Sequence, residues 1–145
     1  MRLKRHTLLV VDDEPDNLKL FRLALKWHPL IKEVKTLPEG QQALHYLHGC
    51  QAGGDPACPF PSLLFLDLKM PGMNGLQVLK QIRAEEVMKR MPVIMFTTSR
   101  EEKDIAASYD LGANSFIRKS VDYDVFCHQL EGVIEYWLVT TELPF

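Results

Sequence analysis

Cysteine is scarce in this chain: Cys50, Cys58 and Cys127 are the three among 145 residues, and none stands in a C-x-x-C pair. An odd number without paired spacing argues against a disulfide framework and for three incidental thiols in a reducing cytoplasm. Long apolar runs are also missing, so no stretch predicts a bilayer span. The start, MRLKRHTLLVVDDE, sets basic residues before an apolar run, but that run is too short for an export signal and ends in acids. An excess of basic charge is absent as well. The formal net charge is −2, without the clustered Lys and Arg that a nucleic-acid footprint needs. Internal repeats and linkers are lacking. With 46% hydrophobic and 25% charged residues, the composition is that of an ordinary globular protein. The expectation is one domain over residues 1–145, cytoplasmic, with no output domain, no nucleic-acid partner and no membrane.

What is present is an alternation of five short apolar runs with five helical patterns. Leu8 to Val11 (LLVV) and Leu63 to Leu66 (LLFL) are continuous apolar runs that end in acids, and Val93 to Phe96 (VIMF) ends at Thr97. Such runs suit parallel strands buried on both faces. Weaker strands are expected at Glu33 to Leu37 and Ser115 to Arg118. Between them, Leu18, Phe21 and Leu25 share one helix face after Pro15, which suits a first helical position. Ala43, Leu44 and Leu47 form a second stripe, and Leu76, Leu79 and Ile82 a third after Asn74-Gly75. Ser99 and Glu102 have the spacing of a capping box. That helix carries Ile105 and Tyr109 and can stop at Gly112. The last helix carries Phe126, Leu130, Val133, Ile134 and Trp137. A (βα)5 order predicts an α/β protein with a doubly wound parallel sheet, flavodoxin-like, of strand order 2-1-3-4-5. The Gly/Pro-rich stretch Gly49 to Ser62 is longer than most connections and reads as a surface insertion or a contact loop.

In such a fold, ligands bind beyond the carboxyl ends of the strands, where the winding reverses. Strand 1 ends in Asp12-Asp13-Glu14, strand 3 in Asp67, strand 4 in Thr97-Thr98-Ser99 and strand 5 in Lys119. Alone, each has a plainer meaning: a solvated turn, a helix-start charge, a strand end or a surface lysine. Together, every central strand ends in a group that one chemistry needs. Clustered carboxylates repel, and a hard dication removes the conflict. Oxygen ligands of this kind suit Mg²⁺. Asp13 and Asp67 are assigned as direct ligands, Asp12 acts through a bound water, and the backbone carbonyl of Lys69 completes the set. A carboxylate beside Mg²⁺ can act as a nucleophile toward phosphorus. Lys119 would neutralise phosphoryl oxygens and the Thr97 hydroxyl would hydrogen-bond one of them. No Walker P-loop is present, so a nucleotide is not the expected donor.

The stretches LLVVDDEP, LLFLDLKMPGMNG, PVIMFTTS and GANSFIRKS resemble the CheY-like response-regulator receivers of two-component systems, over nearly the whole chain. The resemblance implies that Asp67 accepts a phosphoryl group from a sensor histidine kinase, with Asp12 and Asp13 as its acidic pocket. Thr97 becomes the switch hydroxyl, Lys119 the site lysine and Phe116 the aromatic that rotates on phosphorylation, although a static edge-strand aromatic fits Phe116 equally. The family's usual Pro after the lysine is replaced by Ser120, and Lys69 and Thr98 flank the site with bulk that could slow water or donor access. The ending IEYWLVTTELPF, the long loop before strand 3 and the Lys-Ser pair look like the small receivers paired with bacterial phytochrome-type kinases. An exposed Trp137, Leu138, Leu143 and Phe145 would form a homodimer patch; otherwise they fold back on helix 5.

Three functions compete. A receiver signals through partner contacts or passes its phosphoryl group to a phosphotransfer protein, and is a phosphoacceptor with autophosphatase capacity rather than a turnover enzyme. A binding module would use the fold without phosphorylation; some chains with this fold lose the acids or the lysine, and this one keeps them. A dehalogenase-like phosphatase expects a second acid two residues after its nucleophile, where this chain has Lys69.

Overall fold

The computed structural model describes residues 4–50 and 58–145. Along the chain run β1 (His6–Val11), α1 (Pro15–Leu25), β2 (Ile31–Leu37), α2 (Gly40–Cys50), β3 (Leu63–Leu66), α3 (Gly75–Ala84), β4 (Val93–Thr97), α4 (Glu102–Asp110), β5 (Ser115–Arg118) and α5 (Tyr123–Glu135), followed by a π-helical turn, Tyr136–Thr140. The strands form one parallel sheet in the order β2-β1-β3-β4-β5, the order the alternation predicts. β1 and β2 each begin two residues earlier than the apolar runs suggested, because His6 and Ile31 extend their pairing.

Alternation along the buried strands sorts two cores. Leu9, Val11, Leu64, Leu66, Val93 and Met95 face α2 and α3, which contribute Ala43, Leu44, Leu47, Val78, Leu79 and Ile82. Leu8, Val10, Leu63, Phe65, Ile94 and Phe96 face α1 and α5, which contribute Leu18, Phe21, Leu25, Phe126, Leu130 and Ile134. At the centre of the second core the Phe21 ring lies 5.3 Å from Phe65, 5.4 Å from Phe96 and 5.3 Å from Phe126, in the tilted and edge-on arrangements that aromatic quadrupoles favour.

Several expectations are corrected. Ser99 and Glu102 do not make a capping box: Glu101 is the N-cap of α4, and the Ser99 hydroxyl donates to Asp104 instead. The apolar stripe of α4 is not its buried face either, since Tyr109 is half exposed while Asp104 and Ser108 are buried. A true capping box opens α3, where Asn74 and Gln77 satisfy each other's backbone amides. Gly112 does end α4, at φ +99°. Cys50 and Cys58 are joined in a disulfide across a Cα separation of 5.2 Å, so two of the three cysteines are not incidental thiols. The α2 helix ends at Cys50 and the chain returns to β3 beside it, which spacing in sequence could not reveal. Residues 51–57 of the long connection lie outside the described residues. Trp137 and Leu138 pack back on the α1–α5 core, and Phe145 stacks edge-on against Phe60 at 5.1 Å.

One side chain holds three connections together below α3. The Arg83 guanidinium donates to the carbonyls of Gly112 (2.9 Å), Lys89 (3.0 Å) and Met91 (2.7 Å) and to Asn114 Oδ1 (2.9 Å). Asn114 Oδ1 also accepts from the Val93 amide at 2.8 Å, which fixes the start of β4. Arg83→Ala removes all four hydrogen bonds, one of them to the part-buried Met91 carbonyl. We expect it to lower unfolding stability by about 2–4 kcal/mol in denaturant titration, while Arg83→Lys recovers only part, because an ammonium cannot span the four acceptors.

Candidate functional site

Parallel strands that are buried on both faces must turn polar where they leave the core, and here the ends of β1, β3, β4 and β5 turn polar together. Asp12 is 2% exposed, Asp67 8%, Thr97 1% and Lys119 8%. Carboxylate oxygens of Asp12, Asp13 and Asp67 all lie within 4.8 Å of one another. The Lys119 ammonium donates to Asp12 Oδ2 at 2.6 Å and stands 3.9 Å from Asp67 Oδ2. Each of these residues was picked out in the sequence, and the fold brings them to one place.

Local structure holds each group. Asp12 accepts from the Glu14 amide at 2.9 Å and from the Asn17 side-chain amide at 3.2 Å. Asn17, in the first turn of α1, was missed in the sequence, although an amide five residues beyond Asp12 was the signal available. The Lys119 amide donates to the Thr97 carbonyl at 2.7 Å, which joins β5's exit to that of β4. Asp67 Oδ1 accepts from the Leu68 amide at 2.8 Å, and the Leu68 carbonyl accepts from the Gly75 amide at 2.9 Å. A Cβ on Gly75 would overlap the Asp67 carbonyl. Glycine therefore lets α3 start directly behind the acid, and Gly72 supplies the left-handed turn (φ +74°) between them. Lys69 sits two residues past Asp67 and its side chain runs outward to Asp104, 3.6 Å away. Thr98 is exposed beside the site. Phe116 is half-buried against the α2–α3 core, and its amide donates to the Tyr109 hydroxyl at 3.1 Å. The Lys119–Ser120 bond is trans.

Burial pushes the Asp67 carboxyl above the ordinary carboxylate range. Lys119 opposes that shift, Asp12 adds to it, and the Thr97 hydroxyl and Leu68 amide lower it. Three acids against one ammonium leave the pocket short of positive charge. The donor set is all oxygen, anionic and closely spaced, which fits a hard dication and gives a soft metal no thiolate or imidazole. A surface groove of about 590 Å³ lies at β2 and α2, lined by Lys35, Leu37, His45 and Tyr46, and none of the three acids lines it.

A raised Asp67 pKa means that the folded chain holds this proton to higher pH than the unfolded chain does. Stability from this group therefore falls as pH rises from the ordinary carboxylate range through the raised value. In metal-free buffer at neutral pH, Asp67→Asn is expected to melt at a higher temperature than the parent. The gap should close on acidification below the ordinary range, as followed by circular dichroism.

Comparison with known proteins bears on this arrangement. Residues 8–131 match the family described as Response regulator receiver domain. The response regulator Rcp1 of Synechocystis sp. is 34% identical over 137 residues, covering 94% of this chain and 92% of that protein. The crystal structure of the phosphorylated cyanobacterial phytochrome response regulator RcpA superposes with a TM-score of 0.87 at 34% identity, covering 97% of this chain and 99% of the other. The Mn²⁺-bound form of Rcp1 superposes with a TM-score of 0.84 at 33% identity, with the same coverage of both chains.

Proposed function

The chain belongs to the response regulator receiver family, and from that premise we propose that it accepts a phosphoryl group on Asp67 from a sensor histidine kinase. The observation that carries the reading is the convergence of Asp12, Asp13 and Asp67 beneath the Lys119 ammonium. A phytochrome-type kinase is the proposed donor, since the relatives reported above include a phytochrome response regulator.

An Asp67 carboxylate oxygen attacks the phosphorus of a phosphohistidine. The P–O bond forms, the P–N bond breaks, and the electron pair leaves with the imidazole nitrogen, which takes a proton. The protein's work is positioning and charge neutralisation. Asp67 is presented at the strand end with one oxygen engaged by the Leu68 amide, which leaves the other free to react. Lys119 already leans over that second oxygen and can follow the incoming phosphoryl group with little movement. Thr97 stands ready to donate its hydroxyl to a phosphoryl oxygen. Asp13 and Asp67, with Asp12 and the backbone carbonyl of Lys69, would hold Mg²⁺, which would supply the missing positive charge. Asp67 is regenerated by water attack at phosphorus, so the protein is a transient acceptor and not a turnover enzyme.

Output then passes through protein contacts, either with a phosphotransfer protein or with a second copy of this chain. For the second copy, Tyr136 (53% exposed) and Val139 (62% exposed) are the apolar groups that the π-helical turn leaves outward. Phe116 and Thr97 are assigned as the switch pair, since Thr97 ends β4 and Phe116 lies on the adjoining β5, half-buried.

Incubation with a small-molecule phosphodonor and Mg²⁺ should add one phosphoryl mass to the intact protein, and both Asp67→Asn and chelation of the metal should abolish it. Absence of any adduct, with a kinase donor included, would favour a binding module that uses the fold without phosphorylation. Mg²⁺ alone should raise the melting temperature, by about 1–3 kcal/mol of stability at concentrations well above its Kd.

A further inference from the structure

Beside the acid pocket lies a second polar network that the chemistry above does not use. Asp104, in the first turn of α4, has a side chain only 10% exposed. Its Oδ2 accepts from the Ser99 hydroxyl at 2.6 Å and faces the Lys69 ammonium at 3.6 Å. Ser99 in turn accepts from the Glu101 amide at 3.3 Å and donates its own amide to Thr97 Oγ1 at 3.3 Å. A continuous chain of polar contacts thus runs from the switch hydroxyl through Ser99 and Asp104 to Lys69.

Lys69 is hinged close to the acceptor. Two residues of backbone span at most ~7 Å, so its long stem can reach either Asp104 or a group on Asp67. Unmodified, Asp67 has Lys119 beside it, and Lys69 rests against Asp104. A phosphoryl group on Asp67 adds roughly 1.5–2 negative charges within reach of Lys69 and creates a rival for it. An ion pair with its lysine 62% exposed is a weak one and is released readily.

Resting on the reading of Asp67 as phosphoacceptor, we propose that Asp104 is a positioning residue that sets the lifetime of the aspartyl phosphate by competing with the phosphoryl group for Lys69. In hydrolysis, water attacks phosphorus, the P–O bond to Asp67 breaks, its electron pair returns to the carboxylate, and inorganic phosphate departs with the proton balance passed to solvent. Lys69 held on the phosphoryl oxygens stabilises the intact ester and fills the mouth through which water enters. Lys69 held on Asp104 leaves that mouth open. Ser99 keeps Asp104 aimed, and the hydrogen bond its amide donates to Thr97 Oγ1 places both arms of the network beside the reacting group.

The test is a double-mutant cycle in the full chain, with phosphoryl loss followed by intact mass after removal of a small-molecule donor. Asp104→Asn keeps the shape and the Ser99 hydrogen bond but drops the charge. It is expected to slow hydrolysis about two- to fivefold, the range an ion pair of this exposure carries. In a Lys69→Met background, which keeps the backbone carbonyl, the same substitution should leave the rate unchanged. Loss of a helix-start acid would act alike in both backgrounds, so equal effects in the two would overturn the proposal, as would an unchanged or faster rate in the single variant. A parent chain that takes up no phosphoryl group from any donor would remove the underlying reading and the proposal with it. A parent that is phosphorylated but shows no Lys69-dependent effect removes the proposal alone.

Discussion

The interaction on which the structure turns is the contact of Lys119 with Asp12, backed by Asp67. Two carboxylates and an ammonium, each less than a tenth exposed, meet where four strands leave the core. Charges so placed lose much of their hydration, and removing Lys119 would leave two buried carboxylates uncompensated, at a cost several-fold that of an exposed pair. The chain recovers hydration locally. Glu14, Asn17 and Leu68 each give a donor to the acids, so the described residues contain no buried side-chain polar atom without a partner. What remains unbalanced is net charge. A pocket whose hydrogen bonds are complete but whose charges do not cancel fits a cation.

That pocket depends on sheet register. Asp12 follows β1, Asp67 follows β3 and Lys119 follows β5, and β4 separates the last two. The pairs Val11–Leu66, Leu66–Met95 and Thr97–Arg118 bring these exits level. A one-residue slip in any pair would turn a core side chain outward and move an acid to the wrong face. The two Leu- and Phe-rich cores therefore stabilise the fold and also fix the register on which the site's geometry depends. Gly75 serves the same end from behind, since only a residue without Cβ lets α3 begin against the Asp67 carbonyl.

This explains which parts of the protein were legible in its sequence. Strands buried on both faces read as unbroken apolar runs, so LLVV, LLFL and VIMF could be placed without a structure, and the groups that follow them had to share an edge. The strand order followed from handedness and alternation. What was not legible depends on groups distant in sequence or on local competition. Ser99 had a plausible partner in Glu102 by spacing, yet Asp104 won because it is buried and already aimed at the hydroxyl. Cys50 and Cys58 looked unpaired because only the return of the chain beside the end of α2 sets them 5.2 Å apart. The C-terminal apolar residues allowed two readings, and the structure divides them: Trp137 and Leu138 pack inward, while Phe145 stays half exposed beside Phe60.

The same reasoning separates the rigid part of the molecule from its responsive part. α1, α2, α3 and α5 each bury an apolar stripe against the sheet. α4 buries Asp104 and Ser108 instead, and β5, at the sheet edge, is only half covered. Apolar burial is indifferent to a new charge nearby, whereas a polar contact can be exchanged for another of similar worth. Elements drawn from the low-stability end of a structure are those able to move. α4 is held by the Ser99–Asp104–Lys69 contacts, and these adjoin Thr97. A phosphoryl group on Asp67 would thus act first on the helix whose attachment is electrostatic, and would leave the apolar cores that define its own pocket undisturbed.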